Sequence, residues 1–333
     1  MKHATIPIFI PMQGCPYDCV FCNQPKITGQ AAVMPDKEII HKIESHLETL
    51  VGRRGKVEIA FFGGSFTGLP IDLQKHYLGL AQPYLTEKQV TGIRLSTRPD
   101  YINENNLGML KDHGVTTIEL GVQSMDDEVL QLSGRGHTAG DVRKAAAMVK
   151  AAGFSLVLQM MPGLPGDTLE KTTHTANKII ALGADATRIY PTLVIKDTRL
   201  EKLFYENEFT PLTLDEAVHW CSAIVPLFET AGVTILRLGL HASEGLLFGR
   251  ELVAGPFHQA FGEMVYSQIW HDIFSKLGPE PTQSVKVFVH PRQLNHAIGH
   301  KRKNRKMLEK KFRKVRFKTD VLLEGRNFRL ESV

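Results

Sequence analysis

Three of the chain's 4 cysteines, Cys15, Cys19 and Cys22, sit in one short stretch, "GCPYDCVFCNQ". Thiolates are ligands for soft metals. A cluster of them in a cysteine-poor chain points to metal or redox chemistry in a reducing compartment, not to a disulfide scaffold. The spacing is C-x3-C-x2-C. A zinc knuckle pairs C-x2-C with two further ligands, and no second cysteine pair exists here. Cys221, in "DEAVHWCSAIV", reads as a small buried hydrophobe in mid-helix. A four-iron four-sulfur cube needs an external ligand on each iron, so three thiolates leave one iron open to a ligand that is not protein. A Cys3His zinc site completed by His3 or His41 is the plainer alternative.

Other groups suited to chemistry recur along the chain. "FFGGSFTG" (61–68) places Gly63 and Gly64 before Ser65 and Phe66; adjacent glycines let a backbone approach a ligand closely, although a simple turn also uses them. "LSTRPD" (95–100) presents Thr97, "LGVQS" (120–124) ends in Gln123 and Ser124, and "SGRGHT" (133–138) holds Arg135. "LQMMPGLPG" (158–166) holds Gln159, and "RIYPTLV" (188–194) holds Arg188 and Tyr190. Later, "LGLHASEGL" and "VAGPFHQAFGE" supply His241, Glu244, His258 and Glu263. These side chains could position a substrate or relay protons; they could equally satisfy loop hydrogen bonds. Of them, His241, His258 and Tyr190 are the candidate catalytic groups.

The elements that must position these residues are legible as a rhythm. Short apolar, β-branched runs at 5–12, 56–62, 92–97, 117–124, 155–163 and 186–194 are each followed by a helical stretch. Six β–α units with strands apolar along most of their length predict a parallel sheet covered by helices, in a full or partial (β/α) barrel or an open doubly wound sheet. In either architecture chemistry gathers at the carboxyl ends of the strands. There Gln123 and Ser124 are expected to point into the mouth, with Arg188 and Tyr190 facing it from the sixth strand end. After about residue 240 the rhythm breaks. A strand is expected at 284–291, a helix at roughly 292–312, and a small hairpin from "KVRFK" and "RNFRLES". The domain reading is 1–240 for the barrel and 241–333 for a small α+β extension that packs on it.

C-x3-C-x2-C after a first strand, with Phe21 before the last cysteine, resembles the signature of the radical S-adenosylmethionine (SAM) superfamily. The resemblance implies a partial (β/α)6 barrel, a four-iron four-sulfur cluster on Cys15, Cys19 and Cys22, and SAM chelated by the free iron. One electron would then cleave the sulfonium and release a 5′-deoxyadenosyl radical that abstracts hydrogen from a substrate. It further implies that Gly63, Gly64 and Ser65 meet the methionyl amino group. By the same resemblance Thr97, Gln123, Ser124 and Gln159 lie along the cofactor's ribose, methionyl or adenine side, and Arg135 pairs with the methionyl carboxylate. "LSTRPD", "ELGVQS", "GRGHT" and "MPGLPG" look like the radical domain of the Elongator catalytic subunit, which acts on transfer RNA, and more loosely like oxygen-independent coproporphyrinogen III oxidase. The chain is too short to carry the Elongator acetyltransferase domain as well, so the expectation is a stand-alone bacterial type without acetyl transfer.

Composition narrows the partners. The 333 residues are 43% hydrophobic and 23% charged, as in ordinary globular proteins, and no run approaches the length of a membrane span. The formal charge is +5, but "KRKNRKMLEKKFRKVRFK" (301–318) holds 11 Lys or Arg and one acid, a net +10 that leaves −5 for the rest. A basic segment on a mildly acidic body suggests a polyanion. The reading is a cytoplasmic radical SAM enzyme acting on RNA, with tRNA foremost, served by an external electron donor. A small-molecule or tetrapyrrole-like substrate, and a non-catalytic zinc-stabilised RNA-binding protein, stand as alternatives.

Overall fold

Short β-branched runs alternating with capped helices produce one parallel sheet. The structure is a computed structural model that describes residues 2–10, 15, 17–23, 26, 34–50, 55–240, 244–247 and 249–333. In chain order it runs β1 (Lys2–Ile10), α1 (Asp36–Leu50), β2 (Gly55–Gly63), α2 (Ile71–Thr86), β3 (Gly92–Thr97), α3 (Glu104–Asp112), β4 (Val115–Gln123), α4 (Asp127–Leu132) and α5 (Ala139–Ala151). There follow β5 (Ser155–Met160), α6 (Leu169–Ala181), β6 (Ala186–Ile189), β7 (Val194–Ile195), α7 (Arg199–Tyr205), α8 (Leu214–Thr230) and β8 (Thr234–Leu238). Side chains of Asn103, Asp126, Thr138, Thr168, Thr198 and Thr213 each accept a first-turn N–H and so fix where a helix begins.

Among the described residues the main sheet has seven parallel strands in the order β1-β2-β3-β4-β5-β6-β8, an open half-barrel. The expected architecture is present with one strand more than the six read from sequence. "TILRL" is short and carries Arg237, so it lacks the unbroken apolar run that marks the others. The sixth run divides at Pro191, which has no N–H for a ladder. Its second piece, β7, pairs antiparallel with β9 (Leu252–Ala254) outside the main sheet.

Alternation gives this sheet two unlike faces. Ile6, Ile8 and Ile10, Ile59 and Phe61, Ile93 and Leu95, Ile118, Leu120 and Val122, and Leu156 and Leu158 are buried in one core with Ile43, Leu78, Val149, Ile179 and Phe228 of the helices. Burial of each large side chain contributes about 1.5–3 kcal/mol relative to exposure. The alternate residues, among them Glu58, Arg94, Glu119, Gln123, Gln159 and Arg188, face the concave side.

Past residue 240 come α9 (Glu244–Leu247), β9, α10 (Phe261–Ser275), β10 (Glu280–Val289), α11 (Leu294–Ile298), α12 (Lys303–Glu309), β11 (Phe312–Thr319) and β12 (Phe328–Ser332). Helix α10 joins two cores. Phe261, Val265 and Ile269 belong to the barrel core. Trp270 and Phe274 pack with Val285, Val287, Val289, Ala297, Leu308 and Val315 in a second one. Two expectations are corrected here. The basic stretch is not one helix over 292–312: Gly299 at φ +88 and Lys301 and Arg302 at φ +49 and +62 interrupt it, and it becomes strand from Phe312. Nor do the last two strands form a hairpin. β10 lies between them, parallel to β11 and antiparallel to β12. The helical crossover from β10 to β11 suits a parallel pair, and the alternating valines of β10 make it the buried centre strand. No helix among the described residues is long and apolar enough to cross a membrane.

Candidate active site

β1 leads to the cysteine loop at the carboxyl edge of the sheet. Cys19 is buried, while Cys15 and Cys22 are half-buried. The loop is tied down by its backbone: Val20 N–H donates to the Ser133 carbonyl (3.1 Å), Leu200 N–H donates to the Val20 carbonyl (2.7 Å), and Cys22 N–H donates to that of Cys19 (2.9 Å). Val20 and Phe21 bury against Val129, Leu164, Leu200 and Phe209. Gly136, at φ +70, leaves room for Tyr17, since a Cβ there would come within 2.2 Å of the Tyr17 ring.

Two guanidiniums and an imidazole line the loop from beneath. Arg135 is 6% exposed; its Nη1 donates to Cys19 Sγ (3.3 Å) and its Nη2 to the Gly121 carbonyl (2.7 Å). Arg98, 4% exposed, stacks on the Tyr17 ring at 4.3 Å, pairs with Asp100 (3.0 Å) and donates to the Arg135 carbonyl. His137 Nε2 lies 3.3 Å from the Val122 carbonyl. Burial, then Arg135 and Arg98, push the His137 pKa down to about 3, so the ring is neutral. Arg98 Nη1, Arg135 Nε and His137 Nδ1 are buried without a partner, and among the described residues Arg135 has no carboxylate. A buried, uncompensated cation costs several kcal/mol. Thiolates and an anionic iron–sulfur cluster beside Cys15 and Cys19 would supply the missing charge, so the residues present fit that group. Among the described residues no three His, Cys, Asp or Glu side chains converge as a ready metal cage. His41 is exposed on α1, and the side chain of His3 lies outside the described residues.

The glycine pair is held by hydroxyls. Gly63 sits at φ +112, where a Cβ would lie 2.5 Å from the Ile10 carbonyl oxygen. Gly64 N–H donates to that same oxygen (3.0 Å). The Thr97 hydroxyl is 2.8 Å from that of Ser65 and 2.6 Å from that of Thr67, and Arg98 N–H donates to Ser65 Oγ (3.3 Å). Ser65 and Thr97 thus brace the turn. Phe66 packs on Phe61 at 5.5 Å.

Gln123 is a non-glycine residue at φ +69, placed where the β4–β5 register skips between Gly121 and Gln123. Such bulges re-aim side chains beside functional sites. Its Oε1 accepts from Gln159 Nε2 (3.3 Å), bringing the two glutamines together. Ser124 does not share the mouth. It accepts from Asp126 N–H (3.1 Å) and lies 3.4 Å from the Thr175 hydroxyl of α6, where the chain has left β4 after the left-handed turn at Gln123.

Deeper in the concave face runs a ladder of charges. Arg94 bridges Glu58 (2.6 Å) and Glu119 (2.7 Å), and Arg188 grips Glu119 (2.8 Å) and donates to the Tyr190 hydroxyl (3.3 Å). Burial pushes the Tyr190 phenol up. For Arg188 burial pulls down, but Glu119 and Tyr190 outweigh it and the pKa rises. The later candidates separate from this site. His258 accepts from Ala260 N–H (3.0 Å) and meets His300 edge-on at 5.6 Å. Glu263 lies 3.6 Å from His296. His241 and the side chain of Glu244 fall outside the described residues. Sequence reasoning placed Arg188 and Tyr190 at the mouth but assigned no role to Arg98, His137, Glu58, Arg94 or Glu119. The signal was there in part: "GIRLST" and "TIELGVQS" carry opposite charges in the middle of otherwise apolar strands.

Fold and site together define a parallel half-barrel with a cation-backed three-cysteine loop at its carboxyl mouth. The chain belongs to the radical SAM superfamily, whose pattern matches residues 9–179, followed by the radical SAM C-terminal domain over residues 184–271. Members of this superfamily are enzymes that use a four-iron four-sulfur cluster and SAM. An uncharacterised protein of Methanocaldococcus jannaschii is 31% identical over 229 residues, covering 65% of this chain and 68% of that one. The tRNA uridine(34) acetyltransferase of the same organism is 29% identical over 269 residues, covering 67% of this chain and 49% of the relative. Human Elongator complex protein 3 is 32% identical over 209 residues, covering 56% and 38%. The chain therefore spans about half or less of the acetyltransferase and the Elongator protein, and about two thirds of the uncharacterised one. The archaeal Elp3 of Methanocaldococcus infernus shares the fold, with a TM-score of 0.65 at 24% identity over 85% of this chain and 70% of that chain.

Proposed function

We propose that this radical SAM enzyme modifies RNA, with tRNA as its substrate, and that residues 1–240 supply the radical site while 241–333 hold the RNA. The observation that carries the radical site is the pair of buried guanidiniums, Arg98 and Arg135, set against Cys19 with donors to spare. Cys15, Cys19 and Cys22 would hold the cluster, and the bound cluster and SAM supply a one-electron cleavage that yields a radical able to abstract hydrogen. Gly63 and Gly64 offer backbone to the cofactor, with Ser65 and Thr97 bracing the turn. Arg135 supplies positive charge, and Gln123 and Gln159 lie beside the cofactor. The Arg188–Tyr190 pair faces the substrate from the concave side. RNA is favoured by the names of the relatives and by the +10 segment. Function in the cytoplasm, with an external electron donor, accords with this.

Anaerobic reconstitution tests the reading. Cys15→Ala, Cys19→Ala or Cys22→Ala is expected to lose the iron, whereas Cys221→Ala, a change in a fully buried thiol of α8, keeps it. Reductive SAM cleavage should rise when total RNA is added. A colourless zinc protein, or cleavage stimulated by an RNA-free metabolite pool and not by RNA, overturns it.

A further inference from the structure

The three-stranded sheet of the C-terminal region has one covered face and one open face. Trp270, Phe274, Ala297 and Leu308 cover the first through the valines of β10 and β11. Nothing among the described residues covers the second. A parallel strand pair with an uncovered face is uncommon, so its surface chemistry is informative.

That face is cationic and built without partners. Lys286 is half-buried on β10; Lys314, Arg316 and Lys318 are exposed at every second residue of β11. None of the four has an ion-pair partner among the described residues. Lys286 stands directly opposite Arg316 in the ladder. Like charges directly opposite one another are destabilising, and among the described residues neither member of this pair forms an ion pair; an anionic ligand would offset them. Glu331, the carboxylate opposite Lys286 on β12, is held by Arg329.

In the middle of these cations lies an aromatic ring. Phe288 is half-buried on the open face, and the Arg329 guanidinium stacks on it at 4.3 Å. The ring therefore presents a flat face that already accepts a planar group. Unpaired bases are planar groups that stack on aromatic rings, while a duplex keeps its bases stacked on one another.

We propose that the open face of the β10–β11–β12 sheet is a platform for single-stranded RNA, on which Phe288 and Arg329 stack a base and Lys286, Lys314, Arg316 and Lys318 take phosphates. This rests on the RNA reading above and narrows it to an unpaired segment held by named residues, most of them on the strands and not on the short basic helices.

The test is fluorescence anisotropy of the full chain with a labelled single-stranded RNA of mixed sequence, the same RNA annealed to its complement, and anionic vesicles. The single strand should bind more tightly than the duplex. Phe288→Ala should weaken single-strand binding about tenfold, and Phe288→Tyr should restore it. Lys286→Ala with Arg316→Ala should weaken binding and flatten the slope of log affinity against log salt by about 1.4. Should Phe288→Ala disturb the fold by circular dichroism, the lysine–arginine pair, at partly and fully exposed positions, carries the test. RNA bound with wild-type affinity by both variants, or a preference for duplex, overturns the platform and leaves the RNA substrate standing. No binding to either RNA, or binding to vesicles alone, overturns both.

Discussion

The half-barrel and the C-terminal sheet use the same cations in opposite ways. In the barrel Arg94, Arg98 and Arg188 are each gripped by a carboxylate, and Arg135 by a carbonyl and a cysteine sulfur. On the C-terminal sheet Lys314, Arg316 and Lys318 stand in solvent without ion pairs. Buried charge in a weakly screening interior must be matched group by group, which suits a small ligand of fixed geometry. Exposed charge is cheap to keep and readily screened, which suits a long polyanion. Arg135 differs from those three, and it is the guanidinium that donates to a cysteine sulfur.

The largest test of this contrast is the ladder. Glu119→Ala strips the carboxylate from both Arg94 and Arg188, and removal of one partner of a buried pair costs about 3–5 kcal/mol. Urea denaturation should show a loss of this size; a loss under about 1 kcal/mol would mean that water already reaches these charges and that the two regions do not differ.

The imidazole below the cysteine loop gives the next. His137 titrates near 3 when folded and near 6.5 when unfolded. The unfolded state thus binds a proton that the folded state refuses. Stability of the cluster-free protein should fall as pH drops from 6.5 towards 3, by up to about 1.4 kcal/mol per unit. His137→Gln should flatten that slope. A slope unchanged by the substitution would show that neither burial nor the cations around Cys19 hold the imidazole neutral.

Much of this was legible in the sequence, and the omissions share a cause. Strand-end motifs place Gly63, Gln123 and Gln159 because turn glycines and polar residues closing an apolar run leave a local mark, and Arg135 stands out between two glycines just after α4. The contribution of Arg98 rests on packing against Tyr17, which is 81 residues away in a different loop, and no local pattern encodes it. Ser124 turns towards α6 because the strand ends at Gln123, whose positive φ redirects the chain. In the basic segment, charge density marked a surface but could not sort its members. Lys311 donates to the carbonyls of Phe274 (3.3 Å), Ser275 (2.6 Å) and Leu277 (2.5 Å) and caps α10, whereas the Arg316 guanidinium has no partner among the described residues. The stretch that carries Arg316 was read as one arm of a hairpin with the last strand; it is a strand, but Val315 and Phe317 enter a core beside β10, a pairing no local pattern encodes.

The smallest effect is the most discriminating, because its sign is opposite to the first. Arg316 faces Lys286 across the ladder and has no carboxylate partner among the described residues. Arg316→Thr removes the like-charge contact and adds a β-branched residue suited to a strand. The variant should be more stable than the parent by about 0.2–1 kcal/mol in low salt. The gain should shrink in molar salt, where the Debye length falls to about 3 Å and the repulsion is screened in both proteins. Thermal denaturation at the two ionic strengths reads this directly. A destabilised variant would make Arg316 a structural residue, and the exposed cations would then have to be explained by the fold itself. A gain that persists at high salt would point to strand propensity alone. A gain that salt erases would show that the sheet carries these charges at a cost to its own stability, as a surface kept for an anionic partner must.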